Sequence, residues 1–507
     1  SWDLLCGRVD SHHSMWSYLR WVGIEERSLA LFREEACPPD VIGVNYYVTS
    51  ERFLDENRSA HPQESLGGNG RDRYVDVAAA RIRPEGLFGP GQILREAAER
   101  YDVPVAVTEA HLGCTREEQL RWFMETWRAA KVLRGEGLDL LAVTAWSLLG
   151  TFGWDNLVTN DSGAYEPGAF DVRGDQPRQT ALAAMLRALA AQGDFRHPVL
   201  SVPGWWHRSS PVTSSAPSRR RSIEIVRASS DKDLILEETR PLLITGGAGR
   251  LAQGFASAVR VRGIAARVLS PLDLDVTDEQ SVIAAFRKFH PWAVVDCAGF
   301  SPAEEAIRKV QENVTAVNIL DKQCTAHDIQ LVTFLSDAIF GPKGSACPEE
   351  EEALDVEKHT LKVRSGEIFG PADTDDFLGV ALEMIARGNH VQMAEDRTYA
   401  ASFLPDFVSA TRDLLIDAET GVWNLSSGDP TTPAALVRAA ATLVGLDPGL
   451  VKGVPAWSLD ARAPRPQFRA PTKSRGEILP PLQNALCRSA RDWIFAHRAD
   501  AHIAFGS

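Results

Sequence analysis

The sequence lacks the features that mark several specialised classes of protein. Its seven cysteines among 507 residues are scattered, odd in number and without C-x-x-C spacing, which predicts free thiols in a reducing, cytoplasmic compartment. No apolar run reaches the ~18 residues that a membrane-spanning helix needs, and no apolar segment follows a basic start, so we expect neither a membrane anchor nor a signal peptide. The histidines show no metal-ligand spacing with Cys or Glu, and we expect no metal site.

The chain also lacks an excess of positive charge. Its 54 basic and 68 acidic residues give a formal net charge of −14. Nucleic acids and anionic membranes bind proteins through basic surfaces, so we expect neither as a partner. An arginine run lies in the Ser/Pro/Arg-rich stretch 208–222, and we interpret it as solvated charge in a flexible linker rather than as a nucleic-acid site.

The rest of the composition, 44% hydrophobic and 24% charged, is typical of an ordinary globular protein. Apolar runs at 41–50, 103–112 and 140–149 alternate with amphipathic helix patterns, and a second alternating series starts at about 241. These patterns predict an α/β domain over 1–203, a linker over 204–240, a Rossmann-type domain over 241–370 and a small α/β subdomain over 371–507. The chain begins with Ser1 rather than methionine, which is consistent with a fragment, a processed product or a misassembled gene product.

A glycine-rich turn lies in LLITGGAGRLA at 242–252. Gly246, Gly249 and Ala252 follow the spacing G-x-x-G-x-x-G, with alanine in the last place, between a strand pattern and a helix pattern. The first glycine permits a tight turn, the second lets backbone N–H groups approach a pyrophosphate, and the third position packs helix against strand. The sequence therefore predicts a dinucleotide-binding turn.

The strand pattern after this turn bears on the choice between NAD and NADP. It ends in RVLSP, without an acidic residue at its tip to hold a ribose 2′-hydroxyl. Ser270 and the nearby Arg267 would accommodate a 2′-phosphate instead. We therefore expect NADP or NAD as the cofactor, with a preference for NADP.

Six motifs of the second half carry a resemblance that covers about 241 to 490. They are LLITGGAGRLA, LDLDVTD (272–278), PWAVVDCAGFSPAEEA (291–306), AVN (316–318), LVTFLSDAIFG (331–341) and VRSGEIFGP (363–371). In this order they resemble the dTDP-4-dehydrorhamnose reductases, extended short-chain dehydrogenase-like proteins that reduce a nucleotide-linked keto sugar with NAD(P)H. The resemblance implies that Asp275 lies near the adenine, that Ala298 and Gly299 line the cofactor, and that Ser336 is the catalytic Ser/Thr. Ser336 and Asp337 can also be interpreted as a hydrogen-bonded pair at a strand end.

The proton donor of this chemistry is missing from the sequence. The resembled family uses Tyr-x-x-x-Lys, in which the lysine lowers the pKa of the phenol that protonates the substrate carbonyl. No tyrosine occurs between Tyr165 and Tyr399, and the short segment 342–362 offers Lys358 and Lys362 without a phenol. Tyr399 lies in a substrate-side segment and is not expected to replace it. Two interpretations stay open, a reductase with doubtful catalysis and a non-catalytic NAD(P) or nucleotide-sugar binding protein.

The first half resembles a different family. Its runs IGVNYYVTS, VAVTEAHLG and TAWSLLGTFGWDNLVT resemble three signature strands of the family 1 glycoside hydrolases, which are β-glucosidase-like TIM barrels. The resemblance implies that Glu109 is the strand-end nucleophile and that Asn45 and Tyr47 flank it. It also implies that Trp146 and Trp154 line the sugar site.

The glycosidase machinery is incomplete as well. Retaining glycosidases need two carboxylates about 5–5.5 Å apart, and the family's Asn-Glu-Pro acid/base motif does not occur here. About three of the eight βα units of a TIM barrel are present, so Glu109 can also be a strand-end carboxylate without catalysis. The chain is thus interpreted as a partial TIM barrel over 1–203 fused to a reductase-like Rossmann domain. Its expected ligand is a nucleotide sugar or a glycoside, O-glycosyl hydrolysis is expected only if an N-terminal half exists, and no oligomeric state is indicated.

Overall fold

The structure is a computed structural model that describes most of the chain. The described residues are 2–81, 87–156, 159, 164–208, 239–247, 249–298, 310–336, 359–370, 376–428, 430–459, 475 and 477–504. Their contacts divide the chain into two compact units. The first comprises 1–114, 118–148 and 203–222, and the second comprises 115–117, 149–202 and 223–507.

The first unit is an α/β arrangement. Its strands are β1 (Ile42–Asn45), β2 (Arg52–Asp55), β3 (Gly67–Gly68), β4 (Arg73–Ala78), β5 (Val105–Ala110) and β6 (Leu140–Ala145). Its helices are α1 (Trp2–Leu5), α2 (Trp16–Trp21), α3 (Glu26–Glu34), α4 (Gly89–Tyr101) and α5 (Arg116–Gly135), the last of which has its first two residues in the second unit.

Three of these strands form a parallel sheet in the order β1-β5-β6. The central strand β5 buries Val105, Ala106 and Val107, as the continuous apolar run predicts for a strand covered on both faces. Strands lie at each of the predicted places 41–50, 103–112 and 140–149, but β6 is largely exposed and is not the buried strand that its apolar run predicts. Among the described residues this sheet has three strands and does not close on itself, so the partial TIM barrel stays a prediction.

The second unit contains more elements. Its strands are β7 (Thr151–Phe152), β8 (Tyr165–Glu166), β9 (Phe170–Asp171), β10 (Arg178–Gln179), β11 (Leu242–Ile244), β12 (Ala266–Val268), β13 (Ala293–Asp296), β14 (Gln330–Ser336), β15 (Thr360–Ser365), β16 (Glu367–Phe369), β17 (Val391–Ala394), β18 (Ala401–Phe403), β19 (Gly421–Asn424) and β20 (Val451–Val454). Its helices are α6 (Ala181–Gln192), α7 (Arg250–Val261), α8 (Glu279–Phe289), α9 (Val310–Ala326), α10 (Phe377–Ala386), α11 (Leu404–Ile416), α12 (Pro433–Val444) and α13 (Leu482–Ala504).

A six-stranded parallel sheet in the order β12-β11-β13-β14-β15-β19 is the centre of this unit. Every residue of β11 and β13 is buried, because both strands lie inside the sheet with helices in the crossover connections. The core on one face joins Leu243, Phe286, Val294 and Leu320. The predicted Rossmann-like α/β fold is confirmed, and its strand order reverses at β11, where the glycine turn begins.

The smaller part of the unit lies between β15 and the end of the described chain. It contains the two-stranded parallel sheets β16-β18 and β17-β20. Helices α10, α12 and α13 contribute Leu382, Val437 and Trp493 to one hydrophobic core. Helix α12 starts at Pro433 behind Thr432, whose side chain accepts a hydrogen bond from the Ala435 N–H, and ends at the left-handed Gly445.

Residues 149–202 belong to the second unit by their contacts. They form the antiparallel pairs β7-β8 and β9-β10, followed by α6. The packing boundary therefore lies well before the predicted linker at 204–240, most of which falls outside the described residues. None of the helices that the structure describes is long and apolar enough to cross a membrane.

Candidate functional site

The glycine turn connects β11 to α7 at the carboxyl end of the parallel sheet. Gly246 has φ +66°, and a Cβ placed on it would come within 2.8 Å of the backbone of Cys297 and Ala298. Only glycine fits a position that combines a left-handed conformation with this approach. Gly249 is the N-cap of α7 and its N–H donates to the Gly246 carbonyl at 2.8 Å, so the turn delivers the first N–H groups of the helix to one place.

The third position of the motif serves packing. Ala252 is fully buried on the first turn of α7. Two residues later Gly254 faces α11, since a Cβ there would meet the Leu404 side chain at 3.3 Å. Helix α7 is thereby held close to both the sheet and α11, and its amino end is fixed beside the loop that follows β13.

A buried hydroxyl–carboxyl pair joins this turn to the β13 loop. Thr245 Oγ1 donates to Asp296 Oδ1 at 2.6 Å, and the Ala298 N–H lies 3.2 Å from both of these oxygens. Burial raises the pKa of Asp296 to about 6, although Thr245 and the Ala298 N–H oppose the rise. Sequence reasoning missed both residues, and an acid inside the apolar run PWAVVDCAG was the signal that could have identified Asp296.

The ends of the next two strands reach the same edge of the sheet. Ser336 is the last residue of β14 and pairs in register with Ser365, the last residue of β15. Ser365 is buried and its hydroxyl lies 3.2 Å from that of Ser402. The Ser336 side chain, Gly299, Asp337 and Lys358 lie outside the described residues. The backbone thus places Ser336 at the edge where Gly246 and Ala298 meet, and the roles of Ser336 and Gly299 stay predictions.

Comparison with known proteins bears on the second unit. The family model for the RmlD substrate binding domain matches residues 240–355. A dTDP-4-dehydrorhamnose reductase of Streptomyces griseus is 25% identical over 273 residues, which cover 48% of this chain and 89% of the relative. A dTDP-4-keto-6-deoxy-D-glucose reductase of Streptomyces niveus is 24% identical over 250 residues, which cover 45% of this chain and 86% of the relative.

The similarity to solved structures is weaker. The crystal structure of a dTDP-4-dehydrorhamnose reductase from Clostridium acetobutylicum has 15% identity and a TM-score of 0.44, and the match covers 50% of this chain and 98% of that one. The C-terminal half of the chain is similar to the dTDP-4-dehydrorhamnose reductases. The resemblance predicted for the second half is confirmed at this level. The family-model match lies entirely in the second half, and the glycosidase interpretation of the first half stays a prediction.

The loop after β12 of the reductase-like domain carries an acid that the sequence pattern did not reveal. The Asp273 carboxylate accepts hydrogen bonds from the Ser270 hydroxyl at 2.7 Å and from the Ser270 N–H at 3.0 Å, and these bonds lower the pKa of Asp273. Arg267 is exposed on β12. The loop after this strand is where Rossmann folds recognise the ribose 2′-position of a dinucleotide, so Asp273 and Arg267 are candidates for that contact.

The exposed carboxylate of Asp275 lies slightly further along the same loop. It accepts hydrogen bonds from the Thr277 hydroxyl at 2.6 Å and from the Thr277 N–H at 2.9 Å, and these bonds lower the pKa of Asp275. Ala298 is half-buried directly beside the glycine turn. Both positions are compatible with the predicted contacts to a dinucleotide, which stay predictions.

The described residues of the reductase-like domain offer no replacement for the missing phenol. Tyr399 is 7% exposed and its ring meets that of Phe377 edge-on at 6.4 Å within the hydrophobic core of the smaller part. Lys362 is buried inside β15 rather than placed on a helix, and burial lowers its pKa against the opposing charge of Asp321. The expectation that Tyr399 does not substitute for the catalytic tyrosine agrees with this placement.

The candidate sugar site of the first unit is partly assembled. The Tyr47 hydroxyl donates to the Glu109 carboxylate, and the Thr108 hydroxyl donates to the Asn45 side-chain oxygen. Asn45 and Glu109 are also paired between β1 and β5. At the end of β6 the Trp146 carbonyl lies 2.8 Å from His111 Nδ1. Asn45, Tyr47, Glu109 and Trp146 therefore lie at the carboxyl ends of the three parallel strands, and their roles at a sugar site stay predictions.

Trp154 belongs to the second unit and starts a short 3₁₀ turn, with 42% of its surface exposed. In the same segment Gly150 has no room for a side chain, because a Cβ there would overlap the Tyr165 ring. A larger residue could not be accommodated at Gly150 without displacing Tyr165. The structure thus gives a packing reason for the glycine.

Proposed function

We propose that the reductase-like domain binds NAD(P)H together with a dTDP-linked keto sugar and reduces the sugar slowly. The observation that carries this proposal is the approach of the Gly246 backbone to Cys297 and Ala298 in the glycine-rich turn at the amino end of α7. Such a helix end presents N–H groups and positive potential to a pyrophosphate. The names of the two Streptomyces relatives support the substrate class.

The slow rate is expected because a proton donor is missing, and not because hydride transfer is impaired. NAD(P)H, when bound, supplies the hydride to the carbonyl carbon. The carbonyl oxygen must then receive a proton, and the sequence offers no tyrosine from 166 to 398 to donate it. Ser336, at the end of β14, is proposed to hydrogen-bond the carbonyl. A positioned general acid contributes roughly 10²–10⁴-fold to a rate, so turnover is expected to be lower by about this factor than with the phenol.

The first test is nucleotide binding by the full chain, followed by NADH and NADPH fluorescence. We expect saturable binding by the wild-type chain and its loss in Gly246→Val, because a side chain there meets backbone at 2.8 Å with φ at +66°. The matched control is Gly135→Ala, where a Cβ has no neighbour within 4 Å. A wild-type chain that binds neither nucleotide would contradict the proposal.

The second test is turnover of dTDP-4-dehydrorhamnose, measured as NADPH oxidation under single-turnover conditions. We expect slow oxidation that decreases further in Ser336→Ala. Rapid turnover that survives Ser336→Ala would show that the proton comes from elsewhere. Binding of both ligands without any oxidation would instead identify a non-catalytic nucleotide-sugar binding protein.

The first unit supports a second, weaker candidate. The hydrogen bond from Tyr47 to Glu109 fixes the carboxylate expected of a retaining glycosidase nucleophile. No Asn-Glu-Pro acid/base motif accompanies it in the sequence, so we propose a glycosidase-like remnant without hydrolysis. Release of p-nitrophenol from an aryl β-glucoside by the wild-type chain, abolished in Glu109→Gln, would overturn this and establish a hydrolase.

A further inference from the structure

Residues 149–202 bring several charged side chains into the interior of the second unit. The carboxylate of Asp417, whose side chain is completely buried, is shared by Arg178 at 2.8 Å and Arg116 at 3.0 Å. Arg178 also lies 3.1 Å from Asp171 and 3.2 Å from Glu419. These ion pairs join strands β9 and β10 to the loop between α11 and β19. We call the residues that form them the Asp417 cluster, which consists of Arg116, Asp171, Arg178, Asp417 and Glu419.

The members of the Asp417 cluster are withdrawn from water. The side chains of Arg116, Asp171 and Arg178 are 2%, 4% and 16% exposed. Burial by itself raises the pKa of Asp171, yet the hydrogen bond and charge of Arg173 outweigh it and the net pKa is well below its usual range. Charges removed from water in this way are tolerated only when each has a partner. Removal of one therefore leaves the others uncompensated, which makes the cluster a specific docking element.

The Asp417 carboxylate also forms a hydrogen bond with the start of helix α6. It accepts from the N–H of Ala181, the first residue of α6, at 2.7 Å. A carboxylate at this end of a helix is favoured by the helix dipole. Helix α6 is therefore capped by a residue more than two hundred positions later in the chain, and its start depends on the second half.

Three more contacts bind residues 149–202 to the second half. The Arg178 guanidinium lies over the buried Trp423 ring at 5.6 Å. The His197 ring meets Trp292 edge-on at 5.4 Å. Arg173 donates to the Ile478 carbonyl at 2.7 Å. The segment is thus held by charge, aromatic contact and hydrogen bonding at separate places.

The position of these contacts relative to the sheet is informative. Asp417 and Glu419 precede β19, and Trp292 precedes β13, so all three lie at the amino ends of parallel strands. The glycine turn and Ala298 follow the carboxyl ends of strands. Because all strands run in one direction, these are opposite edges of the sheet, and residues 149–202 cover the edge away from the nucleotide site.

We propose that residues 149–202 are an integral part of the reductase-like domain, docked on the amino edge of its sheet through the Asp417 cluster. The surface on the second half is acidic and aromatic, formed by Asp417, Glu419, Trp423 and Trp292. The groups that meet this surface are the guanidinium groups of Arg178 and Arg173 in the segment 149–202. The physical domain therefore starts at about residue 149 and not at the end of the predicted linker.

The docking surface is connected to the nucleotide site by one helix. Helix α11 ends next to Asp417 and starts at Leu404, which packs on Gly254 of α7. The first residues of α7 belong to the glycine turn. Release of residues 149–202 is therefore expected to loosen α11 and to weaken nucleotide binding without any contact to the nucleotide.

A cleavable full chain tests the docking directly. A recognition sequence for a site-specific protease is inserted after Ser214, within the predicted linker, and the purified chain is cut. We expect the fragment that ends near 214 to co-elute with the remainder in gel filtration at nanomolar concentration. Arg178→Met is expected to raise the dissociation constant of the cut pair at least 100-fold, and Arg178→Lys, which keeps the charge, to raise it less.

The matched control is Arg196→Met in the same segment, whose side chain is 93% exposed and should leave the dissociation constant unchanged. Separation of the cut wild-type fragments would overturn the proposal. Equal affinity of the wild-type and Arg178→Met pairs would overturn it as well. If the Arg178→Met chain does not fold, the wild-type and Arg178→Lys measurements decide the question alone.

Discussion

Asp296 is a carboxylic acid that the fold keeps partly protonated near neutral pH. It is 3% exposed beside Thr245, and burial raises its pKa from 3.8 in the unfolded chain to about 6. Ionisation therefore costs more in the folded state than in the unfolded state, and stability present below pH 4 decreases as the pH rises towards 6. Two pKa units correspond to a loss on the order of 3 kcal/mol.

Replacement of this acid by its uncharged isostere tests the pH effect. Asp296→Asn keeps an acceptor for the Thr245 hydroxyl but cannot ionise. We expect its free energy of unfolding to rise relative to that of the wild-type chain between pH 4 and 6, when urea unfolding of both proteins is measured across this interval. Parallel curves for the two proteins would contradict the assignment of the titration to Asp296.

Asp273 places a negative charge where the two cofactors differ. Its carboxylate accepts hydrogen bonds from Ser270, which follows the exposed Arg267 by three positions in the sequence. A 2′-phosphate would approach this carboxylate, whereas a free 2′-hydroxyl could donate to it. Asp273→Asn is therefore expected to improve NADPH binding relative to NADH by roughly tenfold, about 1.4 kcal/mol. Dissociation constants from fluorescence titration check the ratio, and the exposed Asp40→Asn should not change it.

The site residues differ in how well they could be predicted. Gly246 was predicted because a turn without side chains leaves a local spacing in the sequence, and the structure adds the positive φ and the close backbone that require it. Asp296 was not predicted, because an acidic residue after an apolar run is also common at the ends of ordinary strands. Asp273 was missed since the loop after β12 folds back on Ser270, a contact that strand patterns do not encode.

At the scale of elements, the contact between α7 and α11 controls where the glycine turn lies. A Cβ added at Gly254 would lie 3.3 Å from three side-chain atoms of Leu404, and Leu404 is 4% exposed. Gly254→Val is expected to destabilise the fold by roughly 1–3 kcal/mol through overpacking and to weaken NADH binding, because α7 must move. Gly254→Ala should be nearly neutral, since the gain in helix propensity offsets the closer contact.

The exposed Ser257 on the same helix provides the control for this comparison. Ser257→Val changes helix propensity without meeting α11 and should cost only a few tenths of a kcal/mol. Thermal unfolding and fluorescence titration measure both quantities. Equal effects of Val at positions 254 and 257 would show that the helix contact does not position the turn.

Elements were easier to predict than their assembly. The parallel strands of both units appear as short apolar runs, and the structure confirms β1, β5, β6 and β11 at the predicted places. Burial on both faces explains the run of β11, whereas β6 exposes part of its apolar residues. The docking of β9 and β10 could not be predicted. Arg178 and Asp417 are 239 positions apart, and each is an ordinary charged residue in its own neighbourhood. Pairs of this kind follow from the tertiary fold alone.

At the scale of the whole molecule, two buried groups respond to acid in opposite directions. Protonation of Asp296 stabilises the fold as the pH falls from 6 to 4. His197 is buried against Trp292, and burial lowers its pKa from 6.5 to about 4. The folded state therefore favours the neutral imidazole, so the stability that His197 contributes is complete above pH 6.5 and decreases as the pH falls towards 4. The two effects are similar in size and largely cancel in the wild-type chain.

Substitution of His197 should reveal this cancellation. His197→Phe keeps a ring against Trp292 but cannot be protonated, and it loses the acceptor of the Val199 N–H. We expect the variant to be less stable than the wild-type chain at pH 7.5 and to gain on it by about 3 kcal/mol as the pH falls to 4. Urea unfolding at half-unit pH steps measures the difference, and His12→Phe, at a 92% exposed side chain, should follow the wild-type curve. A constant difference between wild type and His197→Phe would mean that His197 becomes protonated without cost, and that residues 149–202 leave Trp292 accessible to water.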